Sequence, residues 1–215
     1  MTVAFRNVAS NNGSSSASIV VTIPSTTLGS TLVVSGGYAG TGTMTGATAS
    51  GASFTQVPGV LFATDQTWEG DLWIAQNVPA GITSVTANFS AGIGDGAFVW
   101  ELSPAVLDTA ATAALRSGAT TGIAIPNTDA GAILIEATLC SVSALINSVF
   151  TGDGATNGNP SGHCSPGDTA GRTPGFDTTL AFYWCWGASF KDPVPWPPDS
   201  TPSIRIPTAV VSTSR

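Results

Sequence analysis

Residues 21–33 read VTIPSTTLGSTLV, and residues 123–135 read IAIPNTDAGAILI. Ile, Pro, Thr, Gly and Leu coincide from Pro24 to Pro126, an offset of 102 residues, and the remaining aliphatic positions match in kind. Each copy reads as a strand, a corner opened by proline, a glycine turn and a second, apolar strand. Proline ends a ladder because it has no N–H to donate, and glycine supplies the turn conformation. Two such corners half a chain apart predict two pseudo-equivalent halves, as in a double Greek key. The likeness fades after Ile135, so an array of repeats is not expected.

Outward from these corners, short β-branched or aromatic runs alternate with Gly, Pro, Asn and Ser clusters, the pattern of a many-stranded sandwich. The clearest strands are expected at 17–23, 30–37, 70–76, 84–89, 97–102, 121–125, 132–140, 178–187 and 203–206, with weaker ones at 3–8, 54–57, 60–63 and 144–150. Residues 83–89, TSVTANF, alternate cleanly, with Val85, Ala87 and Phe89 on one face. The LVV and AILI runs are apolar on both faces, which places them centrally. Residues 108–116, DTAATAALR, are the one helical candidate, with Asp108 as its cap. Residues 11–16, NNGSSS, read as a hairpin loop. A long loop is expected near 151–175 and an extended proline-rich segment near 191–202. The whole chain, 1–215, is expected to form one all-β domain, an antiparallel sandwich of jelly-roll type.

Composition narrows the function. Charged residues make up 9% of the 215 residues, against about 25% in an average soluble protein. Six basic and thirteen acidic residues leave a net charge of −7, which argues against nucleic-acid binding, since phosphates need clustered Lys and Arg. No apolar run approaches the roughly 20 residues of a membrane helix. A single histidine, His163, excludes histidine-rich metal sites. Three cysteines leave at least one thiol without an intrachain partner; Cys140 and Cys185 lie on expected strands, and Cys164, in a polar loop, could bridge to either. The N-terminal MTVAFRNVAS has no secretory pattern, which leaves intracellular use, assembly into something larger, or a mature fragment as expectations.

The run GDLWIAQNVPAGITSVTANFS from Gly70, followed by GAFVWELS from Gly96, resembles a Gly/Thr-rich β-sandwich family with "LW…A.N..AG..TVT..FS" and then "…V.E.SG". The segments 28–35 and 130–137 sit where that family has its "G..LVV" strands. Such modules are similar to jelly-roll, concanavalin-like folds of bacteriophage virion accessory proteins and bacterial surface proteins. The likeness covers most of residues 19–144. It carries fold-specifying residues and no active-site motif, and the region after Phe150 departs from it.

Trp73 and Trp100 read as core. Trp184 and Trp186 share one strand face and Tyr183 and Cys185 the other. Trp68, beside a turn, and Trp196, between prolines, are candidates for exposure. Trp68, Trp184, Trp186 and Trp196 are therefore the candidate ligand-binding residues, stacking on sugar rings or anchoring a protein interface. His163, Cys164, Ser165 and Asp168 contain the residue types of a hydrolytic triad, but sequence neighbours in one loop rarely adopt that geometry. Glu69 and Asp71 match the first two acids of a glucanase-like E-x-D-x-x-E pattern and lack the third. Glu101 completes the set of acids considered for paired-carboxylate chemistry. Asp153, Asn157 and Asn159 offer oxygen ligands without the spacing of a calcium loop. The expectation is therefore a non-enzymatic protein with no catalytic residue, metal or cofactor. Its expected role is structural: a head decoration, fibre or tail accessory protein of a bacteriophage virion, made in the host cytoplasm. It would contact other virion proteins and copies of itself, with no membrane partner. The alternative is a carbohydrate-binding module that recognises a host-surface glycan.

Overall fold

The computed structural model describes residues 2–39, 43–58, 68–91, 94–112, 119–140, 146–147, 149–180 and 183–193. These are all β-structure and connections, with every strand pair antiparallel and no helix. The first half carries β1 (Phe5–Ser16), β2 (Ser18–Thr22), β3 (Thr31–Ala39), β4 (Met44–Thr48), β5 (Thr55–Gln56), β6 (Trp68–Ala75), β7 (Ser84–Phe89) and β8 (Gly94–Leu102). The second carries β9 (Val106–Thr112), β10 (Ala119–Thr121), β11 (Ile133–Cys140), β12 (Ile146–Asn147), β13 (Thr151–Thr156), β14 (Asn159–Cys164), β15 (Gly175–Leu180) and β16 (Tyr183–Lys191).

The two halves repeat each other strand for strand. The first forms a five-stranded sheet, β1-β8-β3-β6-β5, and a three-stranded sheet, β2-β7-β4. The second forms β9-β16-β11-β14-β13 and β10-β15-β12, the same orders displaced by eight strands. β3 begins at Thr31 and β11 at Ile133, the 102-residue offset of the two Pro-Gly corners. The corners also bond alike: Ser30 N–H donates to Thr27 O and Ala132 N–H to Asp129 O.

The five-stranded sheets lie face to face, giving four layers in the order three, five, five, three strands. Val33, Leu72, Phe98, Trp100 and Leu102 of the first half share one central core with Ile133, Ile135, Trp186 and Phe190 of the second. Two outer cores fill the sandwiches, one around Ile19, Leu32, Val34 and Val85, the other around Ile125, Leu134, Phe150 and Phe176. This explains the doubly apolar runs. Val33 points into the central core while Leu32 and Val34 point outward; Ile133 and Ile135 point in while Leu134 points outward. Strands of the three-stranded sheets need only one apolar face, so β7 buries Val85, Ala87 and Phe89 and turns Ser84, Thr86 and Asn88 the other way.

Four expectations change. Residues 108–116 do not begin a helix: β9 runs through Thr112 as the edge partner of β16, where Asp108 meets Lys191 rather than capping a turn. Residues 11–16 continue β1, and the chain bends at Ala17. The expected long loop at 151–175 contains the β13–β14 hairpin, leaving 165–174 as the connection. Asn157 and Gly158 both have positive φ, 49° and 85°, the requirement of a two-residue type I′ turn. The 121–125 strand shortens to β10 plus a bridge between Ile125 and Arg172. The expected strands at 60–63 and 203–206, and the proline-rich segment beyond Pro193, lie outside the described residues.

Candidate functional site

Of the residues singled out in the sequence, Trp100, Trp186, Asp153 and His163 meet at the seam between the sandwiches. Trp186 on β16 is buried against Gly70 of β6, where a β-carbon would overlap the indole, and its Nε1–H donates to Ser35 Oγ of β3 at 3.0 Å. Trp186 is therefore a packing residue of the central core and presents no platform to a sugar, which corrects its assignment as a ligand-binding residue. Trp100 is fully buried, as expected, and stacks with Phe98. Trp73 packs, half-buried, against the first outer core. Trp68 and Trp184 lie on β6 and β16, opposite Ala39 and Leu139, but their side chains are outside the described residues, as is all of Trp196.

A polar chain crosses the same seam. Trp100 Nε1–H donates to Asp153 Oδ2 at 2.6 Å, and Asp153 Oδ1 lies 2.7 Å from His163 Nδ1. The His163 ring stacks on Phe5 with centroids 3.8 Å apart and planes 3° from parallel. Phe5 and Trp100 belong to the first sandwich, Asp153 and His163 to the second. Farther along, the β13–β14 turn docks on β1 and β8. Asn157 Nδ2 donates to Gly13 O, Asp95 O and Asp95 Oδ1, its N–H donates to Asn12 Oδ1, and Asn159 Nδ2 donates to Asp95 Oδ2 at 2.6 Å. The oxygens considered for calcium, those of Asp153, Asn157 and Asn159, thus sit in two separate hydrogen-bonded clusters. Among the described residues no group of three His, Cys, Asp or Glu is placed to hold a metal ion.

The acids considered for catalysis lie in different parts of the fold. Asp71 is buried in the first half, accepting from Tyr38 Oη at 3.3 Å and Gln56 Nε2 at 2.9 Å. Glu69 is its strand neighbour, with a side chain outside the described residues. Glu101 ties down the first Pro-Gly corner, accepting from Thr27 N–H at 2.9 Å, Ser30 Oγ at 2.6 Å and Asn7 Nδ2 at 2.5 Å. In the second half the matching corner is held by Asp108, which accepts from Thr128 N–H at 2.6 Å and from Thr128 Oγ1 and Lys191 Nζ. Both carboxylates satisfy a corner N–H that no strand ladder reaches. The loop quartet also separates. His163 enters the seam, Cys164 faces the second outer core, Ser165 is exposed, and Asp168 is exposed and paired with Arg172 at 2.6 Å.

Burial raises the Asp108 carboxyl, but the hydrogen bonds from Lys191 and Thr128 and the lysine charge outweigh it, leaving the group below the ordinary carboxylate value. A lowered folded-state value contributes stability above the unfolded value of about 3.9, and that contribution is lost as pH falls through the folded value. Asp108→Asn should therefore cost about 1–2 kcal/mol at pH 7, since Lys191 is partly exposed and the ion pair partly screened. It should also flatten the loss of stability below about pH 4. Urea unfolding of both proteins across pH 3–7 checks this.

All three cysteines are buried thiols that line the second outer core. Burial, then the charge of Glu136, pushes the Cys185 thiol well above its ordinary value, and burial raises Cys164 as well. Thiolate is the reactive form, so a disulfide-exchange dye at pH 8 should label the native chain slowly and all three thiols promptly in denaturant. Prompt labelling of the native chain would contradict this packing.

Phe5, Asp95 and the Asn157 turn were missed by sequence reasoning. The Asn-Gly dipeptide was the available signal for the turn; nothing local marks Phe5 or Asp95, whose partners are contributed by the other half. Comparison with protein-family models, curated proteins and solved structures finds no match.

Proposed function

We propose that the chain is a non-enzymatic structural protein of a bacteriophage virion, a head decoration, fibre or tail accessory protein acting through protein–protein contacts, and that each half is a jelly roll. The nested pairing supports the jelly-roll reading: β1 with β8, β2 with β7 and β3 with β6, then β9 with β16, β10 with β15 and β11 with β14. A long hairpin ribbon rolled into two sheets gives this order. The innermost pair departs from it, with β5 lying on β6.

The observation that carries the functional reading is how the acids and tryptophans near the seam are used. Glu101 and Asp108 brace corners, Asp153 joins Trp100 to His163, and Trp186 fills the central core. Such groups give rigidity, and the charge-poor Ser/Thr/Asn exterior suits close approach of neighbouring subunits. The resemblance of residues 19–144 to virion and surface sandwich modules points the same way. The test is to purify particles of the encoding virus on a density gradient and probe them with an antibody to the chain. A fixed copy number per particle is expected. Recovery in the particle-free fraction alone, or tryptophan quenching by an oligosaccharide, would overturn the reading, the latter in favour of a carbohydrate-binding module.

A further inference from the structure

We propose that the Asn157–Gly158 turn is a modification site, at which spontaneous deamidation releases the tip of the β13–β14 hairpin from the first sandwich; the site is independent of any virion role. Asn157 has φ 49° and Gly158 φ 85°. A type I′ turn takes Asn, Asp or Gly at its first central position, so the turn alone does not ask for asparagine. The docking does. Asn157 Nδ2 lies 3.0 Å from Gly13 O, 2.7 Å from Asp95 O and 3.0 Å from Asp95 Oδ1, all on the first sandwich. An aspartate would set a carboxylate against those three oxygens.

Asn-Gly is the asparagine pair most open to cyclisation, because glycine has no β-carbon to hinder the approach of its nitrogen. The Gly158 nitrogen bonds to Asn157 Cγ, the Cγ–Nδ2 bond breaks, and Nδ2 leaves as ammonia with the Gly158 amide proton. Water then opens the five-membered imide, at Cγ to give aspartate or at the main-chain carbonyl to give isoaspartate. Nothing is oxidised or reduced. Water is the co-reactant, and Asn157 is exposed to it.

The docked turn holds this reaction back. In a type I′ turn the first central residue has ψ of about +30°, which leaves the next nitrogen nearly opposite the side chain across the Cα–C bond. Ring closure therefore requires the turn to unwind, and unwinding gives up the bonds to Gly13 and Asp95. An edge hairpin with Thr151, Gly152 and Gly154 exposed is a unit that opens locally without global unfolding. Once reacted, the tip cannot redock. Either product loses the Nδ2 donor and adds a carboxylate beside Asp95, and isoaspartate also lengthens the main chain of a two-residue turn. The central core and the Trp100–Asp153–His163 chain do not use Asn157, so the halves stay joined while the tip is freed.

The test is to age the full chain in mildly alkaline buffer, native and in urea, and to follow residue 157 by peptide mass spectrometry, with aspartate and isoaspartate separated by chromatography. The native chain should react at 157 at least about tenfold more slowly than the unfolded chain. Asp95→Ala, checked for fold by circular dichroism, should raise the native rate about tenfold or more, the scale of losing hydrogen bonds to a carboxylate. Asn157→Asp supplies the product without ageing and keeps a turn-forming residue. Amide hydrogen exchange across residues 151–164 should run at least about tenfold faster in it than in wild type. Asn12→Asp adds the same charge but keeps the acceptor for the Asn157 N–H, and should change exchange far less. Equal native and unfolded rates, an Asp95→Ala rate no higher than wild type, or exchange that Asn157→Asp leaves unchanged or that Asn12→Asp speeds equally each overturns the inference. If Asp95→Ala fails to fold, the exchange comparison decides.

Discussion

Trp186→Ala should lower the stability of the whole chain by about 3–5 kcal/mol, the range for emptying a buried aromatic site. The indole is held on both sides of the seam. It belongs to β16 of the second sandwich, rests on Gly70 of the first, and spends its one donor on Ser35. Alanine leaves a void between two sheets that other contacts hold at fixed spacing, so collapse is limited, and Ser35 Oγ loses its buried partner. Because the central core is drawn from both halves, the loss should not appear as selective melting of the second half. Urea unfolding followed by fluorescence and by circular dichroism should show one transition, shifted to lower denaturant, in both probes. Two separated transitions would mean that the halves are joined only by their linker. Gly70→Ala approaches the same contact from the other side and should destabilise comparably, since its added methyl overlaps the ring.

Glu101→Ala should cost about 3 kcal/mol or more, whereas Glu101→Gln should cost under about 1 kcal/mol. The alanine variant strands the buried Ser30 hydroxyl and two part-buried donors, the Thr27 N–H and the Asn7 amide. Glutamine keeps an acceptor for the first two. Its new NH2 would face the Asn7 NH2, but Asn7 Oδ1 is buried without a partner, so a flip of the Asn7 amide turns the clash into a hydrogen bond. The split between the two variants is the informative quantity. Equal losses would mean that the negative charge itself, rather than acceptor geometry, holds the corner.

Much of the fold was legible because its outer layers obey simple alternation. Val85, Ala87 and Phe89 predict their own burial, and the repeated Ile-Pro…Gly…Leu corners predict the two halves. Residues 108–116 misled because Asp-Thr-Ala-Ala satisfies a cap-and-helix pattern locally, while the chain decides the matter by giving β16 an edge partner. The 151–175 stretch looked like loop because Gly-rich, apolar-poor sequence carries little strand signal. β13 can be polar because it is an edge strand, with Thr151, Gly152 and Gly154 exposed. The site was less legible than the fold. Asp153 finds Trp100 across 53 residues and Trp186 finds Ser35 across 151, and no local pattern encodes a partner at that distance. Trp186 is the same case: period 2 says which residues share a face, and only the first sandwich, packed against it, says that the face is covered.

Burial of β3 and β11 on both sides has a consequence for strand alignment. In an ordinary half-exposed strand, slipping by one position drives oily groups into water, and that penalty keeps the ladder aligned. Here a slip merely exchanges one dry compartment for another. Alignment must then come from shape. Gly36 leaves room for Met44 and Phe89, Gly70 for the Trp186 indole, and Gly96 for Thr156. These glycines act as notches cut for particular teeth, so the inner layers are keyed by size where the outer ones are sorted by polarity.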